Sequence, residues 1–300
     1  MTALRIGTRG SALALSQTNT IAAALGGETE IVVVSTEGDR STESLATLGG
    51  TGVFASALRD ALLADEVDVV VHSLKDLPTA PHAGLSIGAI PARADARDAL
   101  CARDGFTLDT LPEGARVGTG SPRRSAQLRS RRPDLVVTEL RGNVDTRLRK
   151  VADGELDAIV LAAAGLDRLG RLDAITEFLG LDGWPTAPGQ GALAVEVRVG
   201  EEKLVSKLDH RPTRLKVQAE RSVLALLEAG CSAPVGASSE LDEGMLFLSA
   251  RVYSSDGAQR ITSSHALYVS DFPDPVTAIA ERVSTELFEL GAAELMGASE

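Results

Sequence analysis

Three hundred residues, 44% of them hydrophobic and 24% charged, describe a globular chain long enough for two or three cores, with a formal net charge of -12. The opening MTALRIGTRGS has no apolar signal segment, and no apolar run approaches the roughly 18 residues of a membrane span, so a cytoplasmic protein is expected. Cys101 and Cys231 lie far apart without metal-ligand spacing, which predicts neither a disulfide framework nor a metal site.

Residues Leu4 to Gly7 predict a strand that ends in Thr8, Arg9, Gly10 and Ser11, followed by a helix over 12–25. Ile31 to Ser35, IVVVS, is an unbroken β-branched run of the kind that fills a buried strand of a parallel sheet. A long polar loop follows, and then Val53, Phe54, Ala57, Leu58, Ala61 and Leu62 recur at helical spacing. Val67 to Ser73, VDVVVHS, predicts a third buried strand that runs into LKDLP. Beyond Pro91, ARVGTG, LVVTEL and LDAIVLA read as strands, with helices after Ser121 and Asn143, so both halves look like βα units on parallel sheets. RIGTRGSALALSQ at Arg5 is echoed by RVGTGSPRRSAQL at Arg116. PARADAR and PTAPGQG, at 91–97 and 185–191, are the two candidate crossings between like domains. After Val199 the pattern changes to a helix from about Pro212 to Ala229, alternating strands, and a closing helix from Pro275, a small α+β region.

The stretch Arg116 to Lys150 carries ten basic residues against three acidic ones in an otherwise acidic chain. Such a block is an address for an anion if its guanidiniums converge, and a solvated face if they do not. Ser121 and Pro122 read as an N-cap and first helical position. That puts Arg123 and Arg124 in a first turn, where cations oppose the helix dipole unless an anion is bound. Ligands of open parallel sheets sit beyond the carboxyl ends of the strands. Those ends carry Arg9, Ser11, Lys75, Asp76, Arg123, Arg124, Arg141 and Arg168, with Arg147 one turn beyond Asn143. Arginines from several separated segments then rim a cleft whose ligand bears several carboxylates or phosphates.

Asp76 is the acid among these bases, either a structural cap or ion-pair partner or a carboxylate placed for proton transfer. His72 reads as a strand-end residue. Cys231 follows Gly230, a helix C′ candidate, and is either a packed thiol or an accessible nucleophile or attachment point. Cys101 reads as a buried small hydrophobe. Three function classes fit so far: an enzyme, a non-catalytic anion-binding sensor, and a nucleic-acid-binding module. The last lacks any aromatic between Phe106 and Phe178 for base stacking, and the sensor gives no reason for Asp76 and Cys231.

RIGTRGSALAL, HSLKDLP, GTGSPRRSAQL, LRGNVDTRL, AAGLDRLG, APGQGALAVE and EAGCSAPVG, in this order across nearly the whole chain, resemble the hydroxymethylbilane synthase family, also called porphobilinogen deaminase. The resemblance implies an α/β protein with two type II periplasmic-binding-protein-like domains around a cleft, plus a small α+β C-terminal domain. The expected domains are 1–91 with 192–209, then 97–185, then 213–300. It implies a transferase of tetrapyrrole (porphyrin and haem) biosynthesis, a monomer with porphobilinogen as its small-molecule partner and neither nucleic acid nor membrane. It would join four porphobilinogen molecules head to tail with loss of ammonia. By similarity Cys231 holds a dipyrromethane cofactor through a thioether. Asp76 would protonate the departing amine, stabilise the cationic azafulvene and take up protons as rings couple. Arg9, Ser11, Lys75, Ser121, Arg123, Arg124, Arg141, Arg147 and Arg168 would hold the acetate and propionate groups of cofactor and substrate. Thr51 stands where several members carry a lysine, and Gly120 where a second serine is common, which puts individual carboxylate contacts in question.

Overall fold

The structure, a computed structural model, describes residues 3–35, 53–229 and 233–297. In chain order, β1 (Leu4–Thr8), α1 (Ala12–Leu25), β2 (Thr29–Val33), α2 (Val53–Leu63), β3 (Val69–Ser73) and β4 (Leu85–Ala89) form a first α/β part. The chain then crosses to β5 (Asp98–Ala102), β6 (Arg116–Thr119), α3 (Pro122–Arg131), β7 (Val136–Glu139), α4 (Val144–Ala152), β8 (Ala158–Ala162), α5 (Ala163–Arg168) and β9 (Glu177–Leu179). It returns as β10 (Leu193–Arg198), continues through α6 (Arg211–Leu226), and ends with β11 (Val235–Asp242), β12 (Met245–Tyr253), β13 (Arg260–Tyr268), α7 (Pro275–Glu289) and α8 (Ala292–Gly297). Two compact units result: Met1–Ala94 with Gly191–Leu215, and Asp95–Gln190 with Lys216–Glu300.

The first unit has one five-stranded sheet in the order β2-β1-β3-β10-β4. β1 runs parallel to β2 and β3, whereas β10 runs antiparallel to β3 and β4. Alternation along β3 buries both faces: Val69 and Val71 pack with Ile21 and Leu25 of α1, and Val70 packs with Leu58 and Leu62 of α2. The second unit repeats the pattern in the order β7-β6-β8-β5-β9, with β6 parallel to β7 and β8, and β5 antiparallel to β8 and β9. The two sheets thus share one strand arrangement, as the expectation of two like domains requires. The sequence echo falls on corresponding corners, β1 into α1 and β6 into α3. Ser11 Oγ accepts from the Ala14 amide at 3.3 Å and Ser121 Oγ from the Arg124 amide at 3.4 Å, two side-chain N-caps.

Two sequence expectations are corrected. Each five-stranded sheet is mixed, because one strand in each runs against its neighbours. The β-branched run at Ile31 is also no buried central strand: β2 covers Thr29–Val33 at the sheet edge, and Val33 is 55% exposed. An unbroken apolar run reports hydrophobicity but not the number of neighbours a strand will have.

The rest of the second unit is an antiparallel meander, β11-β12-β13, whose Leu246, Leu248, Ala250 and Val252 pack with Ile279, Val283 and Leu287 of α7. Its first hairpin turns on Glu243 and Gly244, both at positive φ, as the right-handed strand twist demands of a two-residue turn. This meander packs on α3: a side chain at Gly257 would lie 2.4 Å from the Ala126 carbonyl oxygen. Among the described residues no helix is long and apolar enough to cross a membrane, and no group of three metal-ligating side chains occurs.

Candidate functional site

In the first unit, the carboxyl ends of β1 and β3 open on a concavity of about 90 Å³ lined by Arg9, Ser11, Gln17, His72, Ser73 and Asp76, among others. Ser11 caps α1, and Asp76 is exposed at the end of the single turn Leu74–Asp76 that follows β3. Gln17 Nε2 donates to Ser73 Oγ at 2.8 Å, tying α1 to the end of β3 across the floor. Thus three of the predicted residues, Arg9, Ser11 and Asp76, share one hollow. Lys75 sits in the same turn, half-buried.

The wall of this hollow rests on a buried ion cluster. His72 Nε2 and Glu196 Oε2 are 3.2 Å apart, and Arg59 donates to both Glu196 oxygens, the shortest contact being Nη2 to Oε1 at 2.8 Å. Burial by itself would raise the Glu196 carboxyl, but the bonds from His72 and Arg59 outweigh it and bring the pKa down to about 2. His72 therefore serves as the strand-end residue the sequence suggested, fixed by Glu196.

In the second unit, Arg123 and Arg124, expected at the rim of a cleft, are largely buried: they are 4% and 7% exposed. Both point at Asp98, the fully buried first residue of β5, with Nη2 of Arg123 at 2.9 Å from Oδ2 and Nη2 of Arg124 at 2.6 Å from Oδ1. This carboxylate offsets the unfavourable placement of two cations at a helix N-terminus. Burial opposes its ionisation, yet the charges of Arg123 and Arg124 hold it well below the usual carboxylate range. Arg123 is itself lowered, by burial first. Arg147 is half-buried and bonds the Gly142 carbonyl through Nε at 2.8 Å; burial and then the like charge of Arg124 lower its pKa. Ser121, Arg123, Arg124 and Arg147 thus gather at the carboxyl ends of β6 and β7. Arg168 ends α5, half-buried and likewise lowered by burial. Arg141 is exposed and bonded to Glu139 at 2.8 Å. Gly120 has a local reason: a Cβ there would lie 2.6 Å from the Leu140 carbonyl oxygen, so a serine would require the backbone to shift. Cys231 and Thr51 lie outside the described residues. Cys101 is buried, as the sequence suggested, and burial pushes its thiol up to about 12.

Sequence reasoning missed Asp98, Glu196 and Arg59. A charged residue at the head of the apolar strand DALCA was the available signal for Asp98, since a buried carboxylate must have partners. A larger open groove of about 520 Å³ beside His265, Arg282 and Glu286 in the C-terminal part holds none of the predicted residues.

Residues 4–206 match the family model "Porphobilinogen deaminase, dipyromethane cofactor binding domain", and residues 214–285 match "Porphobilinogen deaminase, C-terminal domain". The chain belongs to the porphobilinogen deaminase family. A porphobilinogen deaminase of Leifsonia xyli subsp. xyli is 58% identical, the alignment covering 98% of this chain and 94% of the relative. Porphobilinogen deaminases of Thermobifida fusca and Mycobacterium tuberculosis are 51% and 52% identical over 98% of this chain, covering 96% and 98% of their own lengths. A solved L-cystine solute receptor of Neisseria gonorrhoeae aligns over 69% of this chain and 84% of its own at 15% identity and a TM-score of 0.40.

The residues present fit the dipyrromethane that this family's domain binds. One buried carboxylate faces two guanidiniums, with Arg147 beside them, which leaves excess positive charge. Among the described residues the Nε atoms of Arg123 and Arg124 are buried without a hydrogen-bond partner. Orphaned cationic donors beside uncompensated charge suit the carboxylates of an anionic ligand.

Proposed function

We propose that this protein is a hydroxymethylbilane synthase that joins four porphobilinogen molecules head to tail, releasing ammonia and a linear tetrapyrrole, on a dipyrromethane held by a thioether at Cys231. The observation that carries the reading is the hollow in which the Asp76 carboxylate lies with Arg9 and Ser11 at the ends of adjacent parallel strands. When bound, the dipyrromethane supplies the free ring position to which the next pyrrole is joined.

Asp76 gives a proton to the departing aminomethyl nitrogen, faces the positive charge this leaves on the incoming ring, and takes up the proton lost as the rings couple. A carboxylate next to cationic side chains suits both halves of that cycle, acid and then base. Arg9, Ser11 and Lys75 hold carboxylates in the first unit, and Ser121, Arg123, Arg124, Arg141, Arg147 and Arg168 hold them in the second. Each porphobilinogen adds an acetate and a propionate, so the demand for guanidiniums grows with the chain, which is why one arginine pair would not suffice. The reading includes a cytoplasmic monomer of three domains, 1–91 with 192–209, 97–185 and 213–300. Separate hydrophobic cores beneath the second five-stranded sheet and the C-terminal meander support the last boundary.

The test is incubation of the purified protein with porphobilinogen, following ammonia and tetrapyrrole together. Four ammonia molecules per linear tetrapyrrole are expected. Binding without ammonia release would return the protein to the class of anion-binding sensors.

A further inference from the structure

We propose that Asp98 is a positioning residue for carboxylate recognition, holding Arg123 and Arg124 in one presentation. The proposal rests on the reading of those arginines as ligand-holding groups.

Asp98 is 0% exposed, and four donors converge on it. Oδ1 accepts from Arg124 Nη2 at 2.6 Å and from Gln190 Nε2 at 2.8 Å; Oδ2 accepts from Arg123 Nη2 and from Trp184 Nε1, both at 2.9 Å. A carboxylate has about four acceptor sites, so Asp98 is saturated and cannot itself turn to a ligand. The remaining donors of the arginines are directed as well. Arg123 Nη1 reaches Gln127 Oε1 at 2.6 Å and the Pro185 carbonyl at 3.0 Å, and Arg124 Nη1 reaches the Val160 carbonyl at 3.1 Å. Each guanidinium is thus pinned through both Nη atoms, and among the described residues its buried Nε is the nitrogen with no hydrogen-bond partner.

A counter-ion serving stability alone would be expected to neutralise its partners and leave no buried donor orphaned. Asp98 does neither: one negative charge meets two positive ones, and both Nε atoms remain. Its position adds a second link. Asp98 lies just after the chain enters the second unit, and Gln190 is the last residue before it leaves. Gln190 Nε2 bonds both Asp98 and the Ala96 carbonyl, so the carboxylate ties the arginines to the first two of the three places where the chain crosses into or out of this unit.

Asp98→Asn keeps the size of the side chain, removes its charge, and turns an NH2 group toward donors. The experiment takes apo-protein, wild type and Asp98→Asn, incubates each with graded porphobilinogen, and follows covalent loading by intact mass after denaturation, with a thermal melt on the same samples. Asp98→Asn should need at least tenfold more porphobilinogen for half-maximal loading, with a limiting loading rate within about twofold of wild type. A purely structural role would lower the melting temperature and the loadable fraction but leave the concentration dependence unchanged, and that result would overturn the proposal. Should Asp98→Asn not fold, Trp184→Phe and Gln190→Met decide, since each removes one donor from Asp98 without altering charge. A severalfold rise in the half-maximal concentration in both is expected, and wild-type loading curves in both would overturn it. A wild type that takes on no mass would remove the functional reading itself, and this proposal with it.

Discussion

Replacing Glu196 by glutamine tests how the Asp76 hollow is supported. Glu196 is 2% exposed and bonds Arg59 and His72, so the variant leaves a buried guanidinium without its counter-charge. The ordinary carboxylate value of 4.5 is brought down to about 2 in the fold, a shift worth about 3 kcal/mol at neutral pH. Breaking a buried pair from one side costs about 3–5 kcal/mol by independent measure, so the two agree. The folded pKa lies below the unfolded one. The contribution is therefore complete above about pH 4.5 and is lost as pH falls toward about 2. Because the chain has two units, global unfolding is a poor readout, and hydrogen exchange of the β3 and β10 amides at Val70, Val71 and Val195 is the assay of choice. Provided these amides open with the first unit, Glu196→Gln should lower their protection by about two orders of magnitude at pH 7. It should also lack this carboxyl's share of the acid sensitivity between about pH 4.5 and 2. Wild-type protection in the variant, or an unchanged acid profile, would refute the argument.

Asp76→Asn should retain a covalently loaded cofactor while turnover falls by roughly 10² to 10⁴, the usual contribution of a general acid-base residue; near-normal turnover would reject the assignment. Arg123→Leu or Arg124→Leu should give poorly loaded protein, whereas Arg9→Leu or Arg168→Leu should load and then stall between ring additions, visible as accumulated partial masses. Uniform, mild increases in KM across all four would argue against separate roles. In a Cys231→Ser background, Cys101 should resist iodoacetamide at pH 8 in the native state and react after denaturation, because burial keeps its thiol protonated to about pH 12. Rapid native labelling would contradict its buried placement.

What the sequence made legible was local. Ser121 announces its helix because an N-cap is read within four residues, and the RIGTRGS and RVGTGSP echo marks two corresponding corners because each is one strand, one turn and one helix. The strand-end rule placed Arg9, Ser11 and Asp76 together correctly. Asp98 and Glu196 were not legible as site supports because their partners are remote. Arg59 and Glu196 are 137 residues apart, and Asp98 meets Trp184 across 86, so no spacing betrays them. The same limit explains β2: nothing within Thr29–Val33 says that, among the described residues, no strand pairs on its outer side. The sequence places Arg123 and Arg124 at a cleft rim but does not show their burial, which depends on Asp98, the acid that lets two cations be buried at a helix start.

Intact mass of the denatured protein measures the covalent primer most directly. A thioether survives denaturation, whereas ligands held by guanidiniums leave when the fold is lost. After supply of porphobilinogen, the wild type should exceed its sequence mass by two linked pyrrole units, with a ladder of further single-ring steps during turnover. Cys231→Ser should show neither increment, because a hydroxyl is a far weaker nucleophile than a thiolate, while Cys101→Ser should show both. A wild-type mass that stays at the sequence value after that treatment, or a Cys231→Ser protein that still gains the two rings, would contradict it.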